Sequence, residues 1–173
     1  MPVLKINNKI KLDIEKVARD YYGNFNDIKG EKLSETENTI EYGSKVIPAG
    51  ATESTILEIK GLQNAYSWQA TMLQTEDFEK AVEKYKQLYN QLNGANFRMD
   101  DNKSWKFRGK YDVPDEGRAF ASSVLQPDVA EKVLQRLKVE VALNYTMPEW
   151  TVKVLVYEKE PDEDIRPTER PIQ

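Results

Sequence analysis

Carboxylate, lysine, arginine, tyrosine and hydroxyl side chains are the groups through which this chain could do chemistry, because it contains no cysteine and no histidine. Thiolate nucleophiles, imidazole bases, disulfides and the commonest ligand of transition metals are thereby excluded. We expect no metal site in this chain. Its acidic residues cluster in four places, at Glu76/Asp77, Asp100/Asp101, Asp112/Asp115/Glu116 and Asp162/Glu163/Asp164.

Such carboxylates could hydrolyse a glycoside if two of them were held roughly 5–10 Å apart in a cleft and burial raised the pKa of one. One prediction is therefore a carboxylate-dependent, glycosidase-like hydrolase whose acids converge from loops. Solvated carboxylates in loops and at helix starts are the ordinary alternative, and that alternative stays open.

Basic and aromatic side chains alternate near the middle of the chain. Within residues 105–111, the even positions carry the basic residues Lys106, Arg108 and Lys110. The odd positions carry Trp105, Phe107, Gly109 and Tyr111. Sheets that carry both kinds of residue bind single-stranded nucleic acid. In a strand, however, the two sets point to opposite faces, and the chain has 25 Lys+Arg against 29 Asp+Glu, a net charge of −4. We therefore predict no nucleic-acid binding and keep the three basic residues as candidates for another partner.

Tyrosine is abundant, with nine copies, and these cannot all lie in the middle of a two-layer core. Tyrosines at a core edge often contact ligands or partners. Tyr22 and Tyr157 fall off the apolar parity of their predicted elements, so they are the first candidates for binding. Scattered surface tyrosines are the alternative.

The sequence contains no motif typical of a bound cofactor and no apolar segment typical of a membrane-spanning helix. A phosphate-binding glycine loop is absent, and we predict no cofactor. No apolar run approaches the ~20 residues of a membrane span. Residues 1–9 lack the apolar stretch of a signal peptide. We expect a cytoplasmic protein, or an exported or periplasmic one if a leader once preceded Met1.

Two amphipathic helices are predicted from apolar residues at helical spacing. The first covers residues 13–22 and the second begins near Thr75 and ends at Asn93. A polar connection is expected over 24–37 and a short helical turn within 127–134. Alternating segments that predict strands occupy 39–46, 54–59, 66–73, 105–111, 119–125, 137–145 and 150–156.

Alternation with one apolar and one polar face favours an antiparallel sheet. We therefore predict an α+β fold, with an antiparallel sheet of six or seven strands and two main helices on one face. Residues 1–160 would form one domain, and the Pro-rich, acidic segment 161–173 a disordered tail.

The order of the predicted elements also suggests an internal repeat. A duplicated α-β-β-β unit would occupy residues 10–74 and 75–160, and its clearest similarity relates residues 68–73, WQATML, to residues 150–155, WTVKVL. The alternative is that strands bounded by Lys, Gly and Pro reuse similar residues.

The α-β-β-β-α-β-β order over about residues 10–125 resembles the layout of type III secretion chaperone-like folds, small acidic proteins that bind partners without chemistry. The segment 25–30, FNDIKG, followed by strands and a Tyr-rich helix, resembles small uncharacterised bacterial proteins that are often exported. The first resemblance implies a non-catalytic binding or protein-interaction module. Its partner would be a protein or a small ligand, and an open sheet face or sheet edge would allow a homodimer.

Overall fold

A computed structural model of the protein describes residues 9–159. Its helices and strands follow the periodicity of the apolar residues closely. The helices are α1 (Lys9–Asp20) and α2 (Phe78–Leu92), and short 3₁₀ turns cover Tyr21–Gly23 and Leu134–Arg136. The strands are β1 (Lys29–Glu35), β2 (Thr39–Ser44), β3 (Glu53–Ile59), β4 (Ala65–Thr75), β5 (Asn96–Arg98), β6 (Ser104–Arg108), β7 (Phe120–Pro127), β8 (Leu137–Thr146) and β9 (Glu149–Glu158).

These strands form one sheet in the order β1-β2-β3-β4-β9-β8-β7-β6-β5. Every pair of neighbours is antiparallel. Two meanders, one before α2 and one after it, therefore meet at the β4–β9 pair in the middle of the sheet. The predicted α+β class with an antiparallel sheet is confirmed.

The predicted count of six or seven strands is wrong, because the described residues contain nine. β1 lies within the segment 24–37 that is predicted as a polar connection, and the structure shows why: its residues from Glu31 to Glu35 are exposed and show no alternation. β5 has only three residues, too few to show a period. Both lie at the two edges of the sheet, where a strand can be polar or short.

The core lies between the helices and the face of the sheet that carries Trp68, Val154 and Val141. These three side chains are fully buried and belong to one cluster with side chains from α1 and α2. Both helices contact β9 and each other. The indole N–H of Trp68 donates to Ser44 Oγ at 3.0 Å, so this buried polar atom has a partner.

Two local expectations differ from the structure. The N-cap of α2 is Asp77, which accepts from Lys80 N at 3.3 Å, whereas Thr75 Oγ1 accepts from Asp77 N at 3.0 Å. The helical turn expected within 127–134 is found instead at Leu134–Arg136, after the chain leaves β7.

The tail expected over 161–173 lies outside the described residues. No helix within residues 9–159 has the length and apolar character needed to cross a membrane.

Candidate functional site

Tyr157 projects from β9 onto the face of the sheet opposite the core, since it alternates with the buried Val156. Its hydroxyl donates to Glu140 Oε1 at 2.5 Å, and Ser122 Oγ donates to Glu140 Oε2 at 2.6 Å. Burial and the hydrogen bond to Glu140 both raise the pKa of Tyr157. This half-buried tyrosine is therefore tied into a hydrogen-bonded cluster, with its hydroxyl already engaged.

The three basic candidates lie far along the sheet from Tyr157, with Lys106 and Arg108 exposed on β6 and Lys110 beyond its end. Arg108 forms an ion pair with Asp128 at 3.1 Å. Phe107 is buried on the other face of the strand, as the alternation predicts. The basic and aromatic side chains of this strand therefore do not share a binding face.

The carboxylate clusters that could have supported hydrolysis have local structural partners. Asp100 Oδ1 accepts from Asn102 N at 2.7 Å and Asp115 Oδ1 from Gly117 N at 2.8 Å, as in Asx turns. The hydrogen bond from the Ser122 amide lowers the pKa of Asp112, and the nearby Arg118 lowers it as well; together they outweigh burial, which raises it. The cluster Asp162/Glu163/Asp164 lies outside the described residues. Within residues 9–159, no group of three or more acidic side chains could hold a metal ion.

Tyr22 marks a more promising place, at the 3₁₀ turn that follows α1. Its side chain is 58% exposed and packs edge-on against Tyr21, with 5.1 Å between ring centroids. Beside it is a small cleft of about 120 Å³, which we call the tyrosine cleft, lined by Tyr21, Asn24, Asn64, Ala65, Tyr66 and Glu158. The cleft lies where α1 ends, β4 begins and β9 ends.

The loop after α1 shapes one wall of the cleft. Asn24 and Phe25 have φ values of 58° and 60°, in the left-handed region that Asn tolerates and that an aromatic residue rarely adopts. Phe25 is fully buried, and Asp20 Oδ2 accepts from Asp27 N at 3.0 Å and Ile28 N at 3.2 Å. Burial of the ring and these two hydrogen bonds hold the strained loop, which places Asn24 at the cleft.

Glu58 lies behind the second wall of the cleft, which Asn64 and Tyr66 form. Its position in β3 is buried and has the same parity as the core residue Ile56. Tyr42 donates to its Oε1 at 3.1 Å, and Asn64 Nδ2 donates to its Oε2 at 2.6 Å. Burial raises the pKa of Glu58, but hydrogen bonds from Asn64, Tyr42 and Tyr66 outweigh burial and lower the pKa below its ordinary value. Glu58 is therefore an anion at neutral pH.

A lysine lies on the aromatic rings next to Glu58. Lys29 Nζ is 4.6 Å from the Tyr42 ring centroid and 5.2 Å from that of Tyr66, within the range of a cation–π contact. Its positive charge also lowers the pKa of Glu58. The negative charge at this wall is thus balanced from within the protein.

Glu158 belongs to the lining of the cleft itself, and it too has a cationic partner. Arg136 Nε lies 3.3 Å from Glu158 Oε2. Burial, and after it the neighbouring Glu158 carboxylate, raises the pKa of Tyr21, so the Tyr21 hydroxyl keeps its proton at neutral pH.

A second cleft, of about 390 Å³, opens on the other side of the loop and is lined by Lys16, Arg19, Asp20, Asp27, Ile28 and Met99. Burial raises the pKa of Asp20, the Ile28 amide counteracts it, and the charge of Asp27 raises the pKa further, so that the net shift is upward. This is a pair of neighbouring carboxylates of which one is more easily protonated.

The five predicted binding residues are therefore separated, and none of them lines the tyrosine cleft, although the ring of Tyr22 contacts that of the lining residue Tyr21. Sequence reasoning missed Asn24, Glu58 and Glu158. One signal for Glu58 is present in the sequence, because this charged residue has the same parity in β3 as the apolar Ile56. Nothing local marks Asn24, whose role depends on the path of the loop.

The chain matches no protein-family model, no curated protein and no solved structure. The geometry of its own residues is therefore the basis for a functional proposal.

Proposed function

We propose that this protein is a non-catalytic binding module and that the tyrosine cleft is its recognition site. The observation that carries this proposal is the cleft itself, an indentation walled by tyrosine and asparagine side chains and bordered by the exposed Tyr22. Aromatic walls with a few fixed polar groups are typical of ligand sites. The partner would be a small ligand, or a side chain of a protein that enters the cleft.

The carboxylates of the cleft favour binding over catalysis. A general acid needs a raised pKa, whereas that of Glu58 is lowered. Glu58 also accepts hydrogen bonds from Tyr42 and Asn64, and Glu158 forms an ion pair with Arg136. Groups fixed in this way recognise a ligand but are poorly placed to transfer a proton to it.

The test is a titration of the ¹⁵N-labelled protein with four probes: a neutral disaccharide, an aliphatic diamine, a dicarboxylate and a nucleoside. We expect at least one probe to shift the amide resonances of residues 21–24 and 64–66, and the Tyr22→Ala variant to weaken that binding. Tyr145→Ala is the matched control, because Tyr145 is 39% exposed at the opposite end of β8. If no probe shifts these resonances, the proposal fails.

The second candidate function is the carboxylate-dependent hydrolase, and the Asp20/Asp27 pair is the observation that favours it. Its acids would share the larger cleft, with Asp20 as the proton donor. Asp20 also accepts two backbone hydrogen bonds, which gives it a structural role as well. Turnover of aryl glycosides that is lost in Asp27→Asn would support the hydrolase, and no turnover by the wild-type chain would exclude this reading for those substrates.

We also propose that the domain descends from a duplicated unit of one helix and an antiparallel meander, over residues 10–74 and 75–160, although the halves hold four and five strands and not the three of the predicted α-β-β-β unit. In support, each half begins with a helix, and the last strands of the two halves, β4 and β9, pair with each other. Trp68 and Trp150 occupy similar positions in these strands and both are buried. The resemblances to secretion chaperone-like folds and to exported bacterial proteins stay predictions, as does a homodimer, which a size-exclusion mass measurement would test.

A further inference from the structure

The charges around the tyrosine cleft are balanced within the protein. Arg136 pairs with Glu158 at 3.3 Å, and Lys29 lies near Glu58 on the rings of Tyr42 and Tyr66. Because each of these charges lies beside an opposite one, a charged ligand meets no excess of opposite charge at the cleft. The cleft therefore favours a neutral ligand.

Hydrogen-bonding groups of both kinds remain at the cleft. Within residues 9–159 the side-chain amide of Asn24 makes no hydrogen bond, so it offers an acceptor and two donors. The hydroxyl of Tyr21, which also lines the cleft, can both donate and accept a hydrogen bond. Hydroxyl groups both donate and accept, so a ligand with several hydroxyls matches this mixed lining better than an amine or a carboxylate.

The volume limits how much of a ligand can enter. A cleft of about 120 Å³ is well below the roughly 300–1,000 Å³ of sites that enclose a drug-sized ligand. It can therefore admit the edge of a small ring with two or three neighbouring hydroxyls, but not the whole ring. The rest of the ring would then lie outside, beside the exposed ring of Tyr22.

These steps rest on the proposed function, and from them we infer that the tyrosine cleft binds a terminal residue of a neutral carbohydrate. The edge of the sugar, with its neighbouring hydroxyls, would face Asn24 and Tyr21, and its apolar C–H face would pack on Tyr22. Sugars combine these two surfaces in one small ring, as aromatic and amide side chains are combined at the cleft.

The experiment uses the full chain and saturation-transfer NMR with neutral methyl hexopyranosides as probes. Fully O-methylated glycosides of the same sugars, the corresponding amino sugars and the uronic acids serve as matched probes. We expect saturable binding of at least one neutral glycoside, loss of binding on O-methylation, and no gain in affinity from either charged form.

The Asn24→Gly variant tests the position of the sugar. Glycine adopts a positive φ without cost, so this variant keeps the path of the loop while removing the amide. Loss of one neutral hydrogen bond predicts affinity weaker by about fivefold, and Tyr22→Ala should weaken binding as well. Tyr145→Ala should leave the affinity unchanged.

Three outcomes would overturn the inference. Binding of neutral glycosides that is insensitive to both Asn24→Gly and Tyr22→Ala places the sugar elsewhere. Binding of amines, acids or nucleosides at the cleft, without binding of neutral glycosides, refutes the carbohydrate assignment and leaves the proposed function standing. If no probe of any class binds at the cleft, the inference and the proposed function both fail.

Discussion

Substitution of Gly109 by alanine should destabilise the fold severely. This glycine follows β6 at the point where the chain passes close to β7. A Cβ atom added there would lie 1.8 Å from the carbonyl oxygen of Val124, whereas real Cβ atoms essentially never come within 3.0 Å of such an atom. Because Val124 is itself paired with β8, the segment around Gly109 must move outward by more than about 1 Å.

The size of the effect follows from what that movement breaks. Tyr89 donates to the carbonyl oxygen of Gly109 at 2.6 Å, and the Gly109 amide donates to Asn93 Oδ1 at 3.1 Å. Two hydrogen bonds at about 1 kcal/mol each, with about 1–3 kcal/mol of overpacking strain, predict a loss of about 3–5 kcal/mol. That is a large part of the 5–15 kcal/mol by which ordinary domains are stable.

Urea unfolding followed by tryptophan fluorescence measures this loss through linear extrapolation of the unfolding free energy. Gly43→Ala is the matched control, because Gly43 lies in β2 and an added Cβ would have its nearest neighbour, Glu31 O, at 3.9 Å. The control should stay within about 1 kcal/mol of wild type. A Gly109→Ala protein as stable as the control would show that the chain does not pass this close to β7.

Three other changes test separate parts of the fold. Asp77→Ala removes the cap that receives Lys80 N and should cost about 1 kcal/mol in urea unfolding; no change would mean that the cap is not used in solution. Ser44→Ala leaves the buried indole N–H of Trp68 without its acceptor and should cost about 1–3 kcal/mol, with a shifted tryptophan emission as a second readout. Burial, opposed by the Ser123 hydrogen bond, raises the pKa of Tyr85 to about 12, above the ordinary value of about 10. The stability that this proton contributes is complete below pH 10 and is lost as the pH rises toward 12. Tyr85→Phe should therefore flatten the fall in unfolding free energy over that range. An unchanged slope would contradict the assignment.

Regular alternation made several elements predictable. Large, apolar side chains at alternating positions predict β4, β8 and β9. The helix α2 is predicted because Ala81, Tyr85, Leu88 and Leu92 form one apolar stripe, which is buried in the structure. The edge strand β1 could not be found in this way, since an exposed polar strand is held by hydrogen bonds from its neighbour and its side chains carry no periodic signal.

The candidate site was less predictable than the fold. Tyr22 falls off the apolar pattern, and its ring contacts that of Tyr21 in the cleft lining, while its role in binding stays a prediction. Asn24 and Glu158 are more than a hundred residues apart, and they meet because β9 pairs with β4 and α1 packs against β9. Such a juxtaposition depends on strand order, which periodicity along the chain does not contain.

The position of β4 beside β9 also constrains how the molecule can be synthesised and folded. During translation β4 emerges long before β9, with the whole stretch 76–148 between them, so the N-terminal meander waits with an unpaired inner edge. Contacts between distant segments form slowly, and open strand edges in the meantime invite association with other chains. We therefore expect nascent chains that end before residue 149 to be prone to aggregation. The sheet should acquire its cooperative stability only when β9 is inserted between β4 and β8.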